Sequence, residues 1–341
     1  MVGFRVMSRA LLAAIIITIL AATVAPAAPK RVQILFRQAW LPDDIYVPYM
    51  VAKDLGYYEE VGIDFVNQVG AGTGVSTKVV GAGTSQLGKG EAAGVIQAVQ
   101  QGVPIKAVML EFQETPTSVV VLADSPIQTL KDLEGKKIAT QFDTAAHVLL
   151  VAGLKLAGVD TTKINFVNLS PAQWNTALIA GDVAGINAYF SNQPVDLEAR
   201  GARLRVFRMK DVGLRVPSQT IFVNNTFLAR NPQVVSNFLA ATIRGYKYTM
   251  AFPTRAVRMM TKYYPDFDPD IILKKLQLDF EVYQTPETAA QGFGWNDARR
   301  WEGLQQIMLD AGLVKSKMPV ETYFTNDVLA KVPMEIRQLK R

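Results

Sequence analysis

From residue 32 onward, short apolar runs alternate with stretches of helical spacing. Val32 to Phe36 reads as a strand, and Tyr46 to Leu55 as a helix stopped by Gly56. Ile63 to Asn67 is a second strand and Thr73 to Val80 a second helix. Gln86 to Gly88 is a short strand, and a Gly88-Lys89-Gly90 turn then opens a helix from Glu91 to Gln101, closed by Gly102. Ile105 to Leu110 returns as a strand. Strand and helix in alternation, joined by short turns, predict a mostly parallel sheet covered by helices.

A second unit of the same kind runs from Ser118 to about Phe222. Its predicted strands are Lys137 to Thr140, Ile164 to Val167 and Ala184 to Tyr189; its helices are Thr144 to Ala157, Ala172 to Ala180 and Gln193 to Arg200. From Thr226 the pattern is helical, with helices around Pro232, over Asp270 to Leu278 and over Asp297 to Ala311. Without strands of their own, these helices are expected to pack on the first unit. The expected fold is therefore α/β, with two doubly wound lobes joined by a two-strand hinge. Lobe 1 comprises 28–117 and 223–341, lobe 2 comprises 118–222, and the crossings fall near Thr115 to Val121 and Pro217 to Val223. Ligands of open α/β sheets lie beyond the carboxyl ends of the strands, so a cleft between the lobes is the expected site.

The segment before Val32 changes the setting. Arg5 and Arg9 precede an apolar core from Ala10 to Val24, and Ala25-Pro26-Ala27 forms a small-x-small cleavage site, so 1–27 reads as a secretory signal peptide. The core is shorter than the roughly 20 residues that span a bilayer. The whole chain of 341 residues carries a formal charge of +6, and the 314 residues after the signal carry +4, with no basic block, which argues against nucleic-acid binding. There is no cysteine, so disulfides, thiolate metal sites, cysteine nucleophiles and a lipid attached through cysteine are excluded. His147 is the only histidine, which leaves little room for zinc hydrolase chemistry. No catalytic residue, metal or cofactor is expected.

Several longer segments carry a family resemblance: WLPDDIYVPYMVAKDLGYYEEVGIDF (Trp40 to Phe65), GVPIKAVMLEFQETPTSVVVL (Gly102 to Leu122), DLEGKKIA (Asp132 to Ala139), NPQVVSNFLAATIRGYKYTMAFPTRAV (Asn231 to Val257) and YFTNDVL (Tyr323 to Leu329). In these the chain resembles the periplasmic substrate-binding proteins of the nitrate, sulfonate and thiamine-pyrimidine type. The resemblance implies a type II periplasmic binding protein fold and a soluble, monomeric periplasmic protein. Such a protein binds a small-molecule ligand and passes it to an ABC transporter permease in the inner membrane. Trp40 at the end of the first strand and AYFSNQP (Ala188 to Pro194) are similar to the pyrimidine branch, which points to a thiamine-pyrimidine precursor or a similar flat heterocycle. A flavin, an aliphatic sulfonate or a small anion stays open as the ligand.

The same branch includes the thiamine-pyrimidine synthase, which consumes pyridoxal phosphate and a histidine and uses iron. Its lysine and histidine positions fall on Gly90 and Gly94, with Lys89 one place off, and its cysteine-rich motif falls on Leu214 to Ser218, which reads LRVPS. The synthase alternative is therefore unmatched at each of its reactive positions.

Nine residues are candidates for ligand contact. Trp40 at a loop edge offers an indole face to a flat ring. Glu91 offers a carboxylate to paired N–H groups; as a helix-end residue it also serves the macrodipole. Asp143 and Thr144 start a helix of the second lobe, where they cap it and present its free N–H groups. Tyr189 and Asn192, beside Gln193, end a second-lobe strand, while Tyr46, Glu114 and Thr115 come from the first lobe and hinge. His147 and the tryptophans Trp174, Trp295 and Trp301 read as packing residues.

Overall fold

A computed structural model describes residues 31–339 except 41, 143 and 284, and at 287 and 288 the backbone alone. The expected signal segment and Asp143 lie outside the described residues.

The first sheet contains β1 (Val32–Arg37), β2 (Ile63–Gln68), β3 (Leu87–Glu91), β4 (Ile105–Leu110) and a strand from far along the chain, Gln219–Asn224. The second contains β5 (Thr117–Leu122), β6 (Lys137–Thr140), β7 (Asn165–Asn168), β8 (Gly185–Tyr189) and β9 (Leu204–Arg208), which makes Gln219–Asn224 strand β10. The orders are β2-β1-β3-β10-β4 and β7-β6-β8-β5-β9. In each sheet four strands run in one direction, and the strand arriving from a crossing is inserted antiparallel between two of them: β10 between β3 and β4, β5 between β8 and β9.

The helices between strands are α1 (Val47–Asp54), α2 (Thr73–Gly81), α3 (Ala92–Gln100), α4 (Ala145–Leu156), α5 (Pro171–Ala180) and α6 (Gln193–Ala199). The C-terminal part adds α7 (Pro232–Ala251), α8 (Pro253–Thr261), α9 (Pro269–Tyr283) and α10 (Ala298–Asp310). Local sequence explains where they begin and stop. In α5, Ser170 and Gln173 form a capping box, Pro171 stands at the first helical position, and Gly181 takes the left-handed φ of 77° that ends it.

One face of the first sheet carries a large apolar core against α1, α7 and α9, in which Phe36, Tyr49, Tyr58, Phe65 and Phe238 stack ring on ring. A second core runs through both sheets, from Val95 and Ile96 past Val119, Leu150 and Leu154 to Trp301 and Leu304. This corrects the expectation that the C-terminal helices pack on the first lobe alone. Helix α10 packs on both α3 and α4, and α9 reaches α6.

Two further readings change. Gly88-Lys89-Gly90 is strand β3 and not a turn, and β9 escaped prediction. The glycines fit a strand because a Cβ on Gly88 would lie 3.0 Å from the Phe222 ring, and one on Gly90 would lie 2.7 Å from Thr73. The crossings also begin earlier: the connections 111–116 and 213–218 lie side by side, with Ser218 N–H donating to Phe112 O (3.1 Å). β10 belongs wholly to the first sheet, so a boundary at 222/223 falls inside a strand.

Candidate functional site

Strand β3 ends at Glu91 and strand β8 at Tyr189, and these two carboxyl ends meet. Tyr189 donates its phenol to Glu91 Oε1, Gln219 Nε2 donates to the same oxygen at 2.5 Å, and Ser218 Oγ donates to Oε2 at 2.8 Å. The Glu91 backbone N–H goes to Thr73 Oγ1 at 3.1 Å. Enclosure by these groups pushes the Glu91 carboxyl above the ordinary carboxylate range; the three donors and the Lys89 ammonium pull it part of the way back. Glu91 still keeps part of its surface exposed. The result is a concentrated acceptor on the first sheet, already engaged by a donor from the second.

Other pairs draw the same strand ends together. Asn192 Nδ2 donates to Asp43 Oδ2 at 2.8 Å. Lys275 on α9 lies 3.4 Å from Asp43 and 3.0 Å from Asp196, with both contacts largely buried. Lys274–Glu198 (2.5 Å) and Arg208–Glu281 (2.6 Å) continue the seam at the surface, where such pairs contribute little. Beneath it, the fully buried Asp44 and Asp279 face each other, with Ser191 from the turn after β8 against Asp279. Burial raises both carboxyls; repulsion from Asp279 and Asp43 adds to it at Asp44, while hydrogen bonds with Asp44 and Ser191 hold Asp279 to about 6.

The remaining candidates divide by what they touch. Trp40 is 50% exposed, with its backbone N–H on Tyr46 Oη (3.3 Å) and its carbonyl accepting from Gly70 N–H. Tyr46 is fully buried, and its hydroxyl accepts from Ala39 and Trp40 N–H; it braces the loop and does not line the opening. Glu114 lies 3.8 Å from both Arg215 and Arg300, and the buried Thr115 is bonded to Thr117 at 2.8 Å, so this pair braces the first crossing. Thr144 caps α4 by accepting from His147 N–H. The His147 ring sits between Phe142 and Phe166, in keeping with packing. Trp174 and Trp301 are buried, each with its indole N–H bonded, and Trp295 packs partly buried against the first core.

Sequence reasoning missed Ser218, Gln219, Asp43, Lys275 and the Asp44–Asp279 pair. Ser218 and Gln219 join Glu91 only through the antiparallel register Gln219↔Glu91, which no local pattern reveals. A groove of about 420 Å³ around Pro104, Asn224 and Arg230 opens at the opposite end of the first sheet, away from this chemistry.

Pyridoxal phosphate and iron do not fit these residues. Lys89 is fully buried, 2.9 Å from Glu111, donating to Ile45 O at 3.1 Å and covered by the rings of Tyr46, Tyr49 and Phe112. A side chain at Gly90 or Gly94 would run into Thr73, since a Cβ there would lie 2.7 Å and 2.4 Å from its Cγ2. Among the described residues no cluster of three or more His, Cys, Asp or Glu side chains is placed to hold a metal ion.

Two sheets with their strand ends apposed define a periplasmic binding protein fold. The periplasmic aliphatic sulphonate binding protein SsuA of Escherichia coli superposes with a TM-score of 0.70 at 18% identity, over 86% of this chain and 91% of that one. The chain belongs to the NMT1/THI5-like family, which it matches over residues 45–256. Its relatives include binding proteins and synthases. The riboflavin-binding protein RibY of Chloroflexus aurantiacus is 29% identical over 90% of each chain. The 4-amino-5-hydroxymethyl-2-methylpyrimidine phosphate synthase of Legionella pneumophila is 25% identical over 89% of this chain and 94% of its own.

Proposed function

We propose that this chain is the periplasmic solute-binding component of an ABC importer, and that it closes on a flat heteroaromatic ligand bearing N–H donors. An aminopyrimidine such as a thiamine-pyrimidine precursor, or a flavin ring, has that character. The observation that carries the reading is Glu91, an acceptor at the meeting of the two sheets. Lys89, whose charge reaches Glu91, is already neutralised by Glu111, and Lys275 at the seam by Asp43 and Asp196. A sulfonate or nitrate would meet a carboxylate there instead of donors. The half-exposed Trp40 supplies a face for a ring. Catalysis has no part in this reading, because ligand contacts from both lobes suffice to stabilise the closed form. Export by a cleaved signal ending at Ala27, and delivery to an inner-membrane permease by a monomer, complete the proposal.

Calorimetric titration with 4-amino-5-hydroxymethyl-2-methylpyrimidine, riboflavin and ethanesulfonate tests it. One of the two heterocycles should bind, and Glu91→Gln should weaken that binding by roughly 1.5–3 kcal/mol, the worth of a charge-assisted hydrogen bond. Trp40→Ala should weaken it by about 1 kcal/mol through lost stacking. Tight ethanesulfonate binding that survives both substitutions, with neither heterocycle bound, would refute the ligand class.

A further inference from the structure

Gln38 follows β1 at its carboxyl end, is completely buried, and has no hydrogen-bond partner for either atom of its carboxamide among the described residues. Its backbone, in contrast, is firmly held. Its N–H donates to Gln68 O at 2.9 Å and its carbonyl accepts from Ser76 Oγ at 2.5 Å. Gly70 packs so close to that carbonyl that any Cβ there would collide with it. Each polar group left unbonded in a dry setting carries a desolvation penalty, whereas an apolar side chain of the same length would fill the space without one. A glutamine fixed in this way lowers stability unless something else bonds to it.

Side chains alternate along a strand, so Gln38 lies on the face of Ile34 and Phe36. The register Phe36↔Leu87 and Arg37↔Gly88 sets it level with Lys89, one alternate residue short of Glu91. From strand spacing and rise, the Cα atoms of Gln38 and Glu91 are about 8 Å apart. Next to Glu91, Gln219 uses its amide N–H on the carboxylate and leaves Oε1 unbonded. Gln38 and Gln219 thus flank Glu91 with unbonded amide groups on one face of the sheet.

We propose that Gln38 is a ligand-reading residue whose carboxamide pairs edge-on with a ring edge carrying an adjacent N–H donor and acceptor, while Glu91 takes a second N–H. A carboxamide has one donor and one acceptor side in a single plane, as in the bidentate pairing of Gln with adenine. The ligand class is therefore a heterocycle with an amidine or lactam edge, narrower than flat rings in general, and the inference rests on the heterocycle reading above.

The test compares wild type with Gln38→Met, which keeps the length and removes both polar groups, and with Gln38→Leu. Calorimetry uses 4-amino-5-hydroxymethyl-2-methylpyrimidine and riboflavin as probes, and thermal unfolding is followed without them. The expected result is at least tenfold weaker binding of whichever probe the wild type takes, with an unliganded melting temperature equal to or above wild type. Unchanged affinity in either folded variant, or a lowered melting temperature with affinity intact, would make Gln38 a structural residue and overturn the inference while leaving the heterocycle reading in place. Failure of both probes to bind wild type would overturn the two together.

Discussion

Lys89→Met should destabilise the folded chain by about 3–5 kcal/mol, the range for removing one partner of a buried ion pair. Glu111 is fully buried, and among the described residues its carboxylate would keep the Tyr49 and Tyr246 hydroxyls as donors. Pairing Lys89→Met with Glu111→Leu should restore most of the loss, because the uncompensated charge disappears along with its partner. Urea unfolding of the two single variants and the double variant measures this. A Lys89→Met protein of wild-type stability would show that the pair contributes nothing and reopen the question of a chemical role for this lysine.

Ligand affinity should fall as pH rises between about pH 4 and pH 7. With the lobes together, Asp279 is raised from 3.8 to about 6, first by burial. Asp44, opposite it, is raised in the same direction for the same reason. Both residues belong to the first lobe, where α9 packs on the turn that carries Asp44, so lobe opening would uncover the pair only on the side that Ser191 covers and would lower its carboxyl values part of the way. A raised closed-state value means that closure takes up a proton. Below the open value both forms are protonated and closure carries no penalty. Above it the penalty grows until pH passes the closed value. The charges facing the pair are Asp43 and Lys275 at the seam and Lys89 beneath. Titration of the bound heterocycle from pH 4 to pH 8, in buffers of different ionisation enthalpy, reads both the affinity and the proton uptake. Affinity that rises with pH, or release of protons on binding, would contradict the assignment; Asp279→Asn should flatten the profile.

Periodicity made the architecture legible because each β–α unit is a local pattern. It misread β3, since Gly88 and Gly90 weigh against a strand locally, and only the Phe222 ring and Thr73 account for them. It missed β9, whose residues are all half-buried with no alternation to detect. The site was legible in part. Glu91, Tyr189 and Asn192 were visible as strand and helix ends facing a predicted cleft. Tyr46 and Glu114 offer themselves on the same ground, yet each is occupied with backbone or arginine partners. Gln38, Gln219 and Asp279 depend on register and on α9 folding back from 40 or more residues beyond the second crossing, which no window of sequence contains.

The contact of Thr73 with Gly90 and Gly94 fixes the order in which this scaffold could be altered. Thr73 fills the space that a side chain at either glycine would need, and its hydroxyl also holds the Glu91 N–H. A protein engineer wishing to install an amine nucleophile beside Glu91 would have to shorten residue 73 before lengthening residue 90 or 94. The reverse order would pass through a clashing intermediate, and the first step would leave the Glu91 amide to find another acceptor. One methyl and one hydroxyl thus hold positions 90 and 94 to glycine.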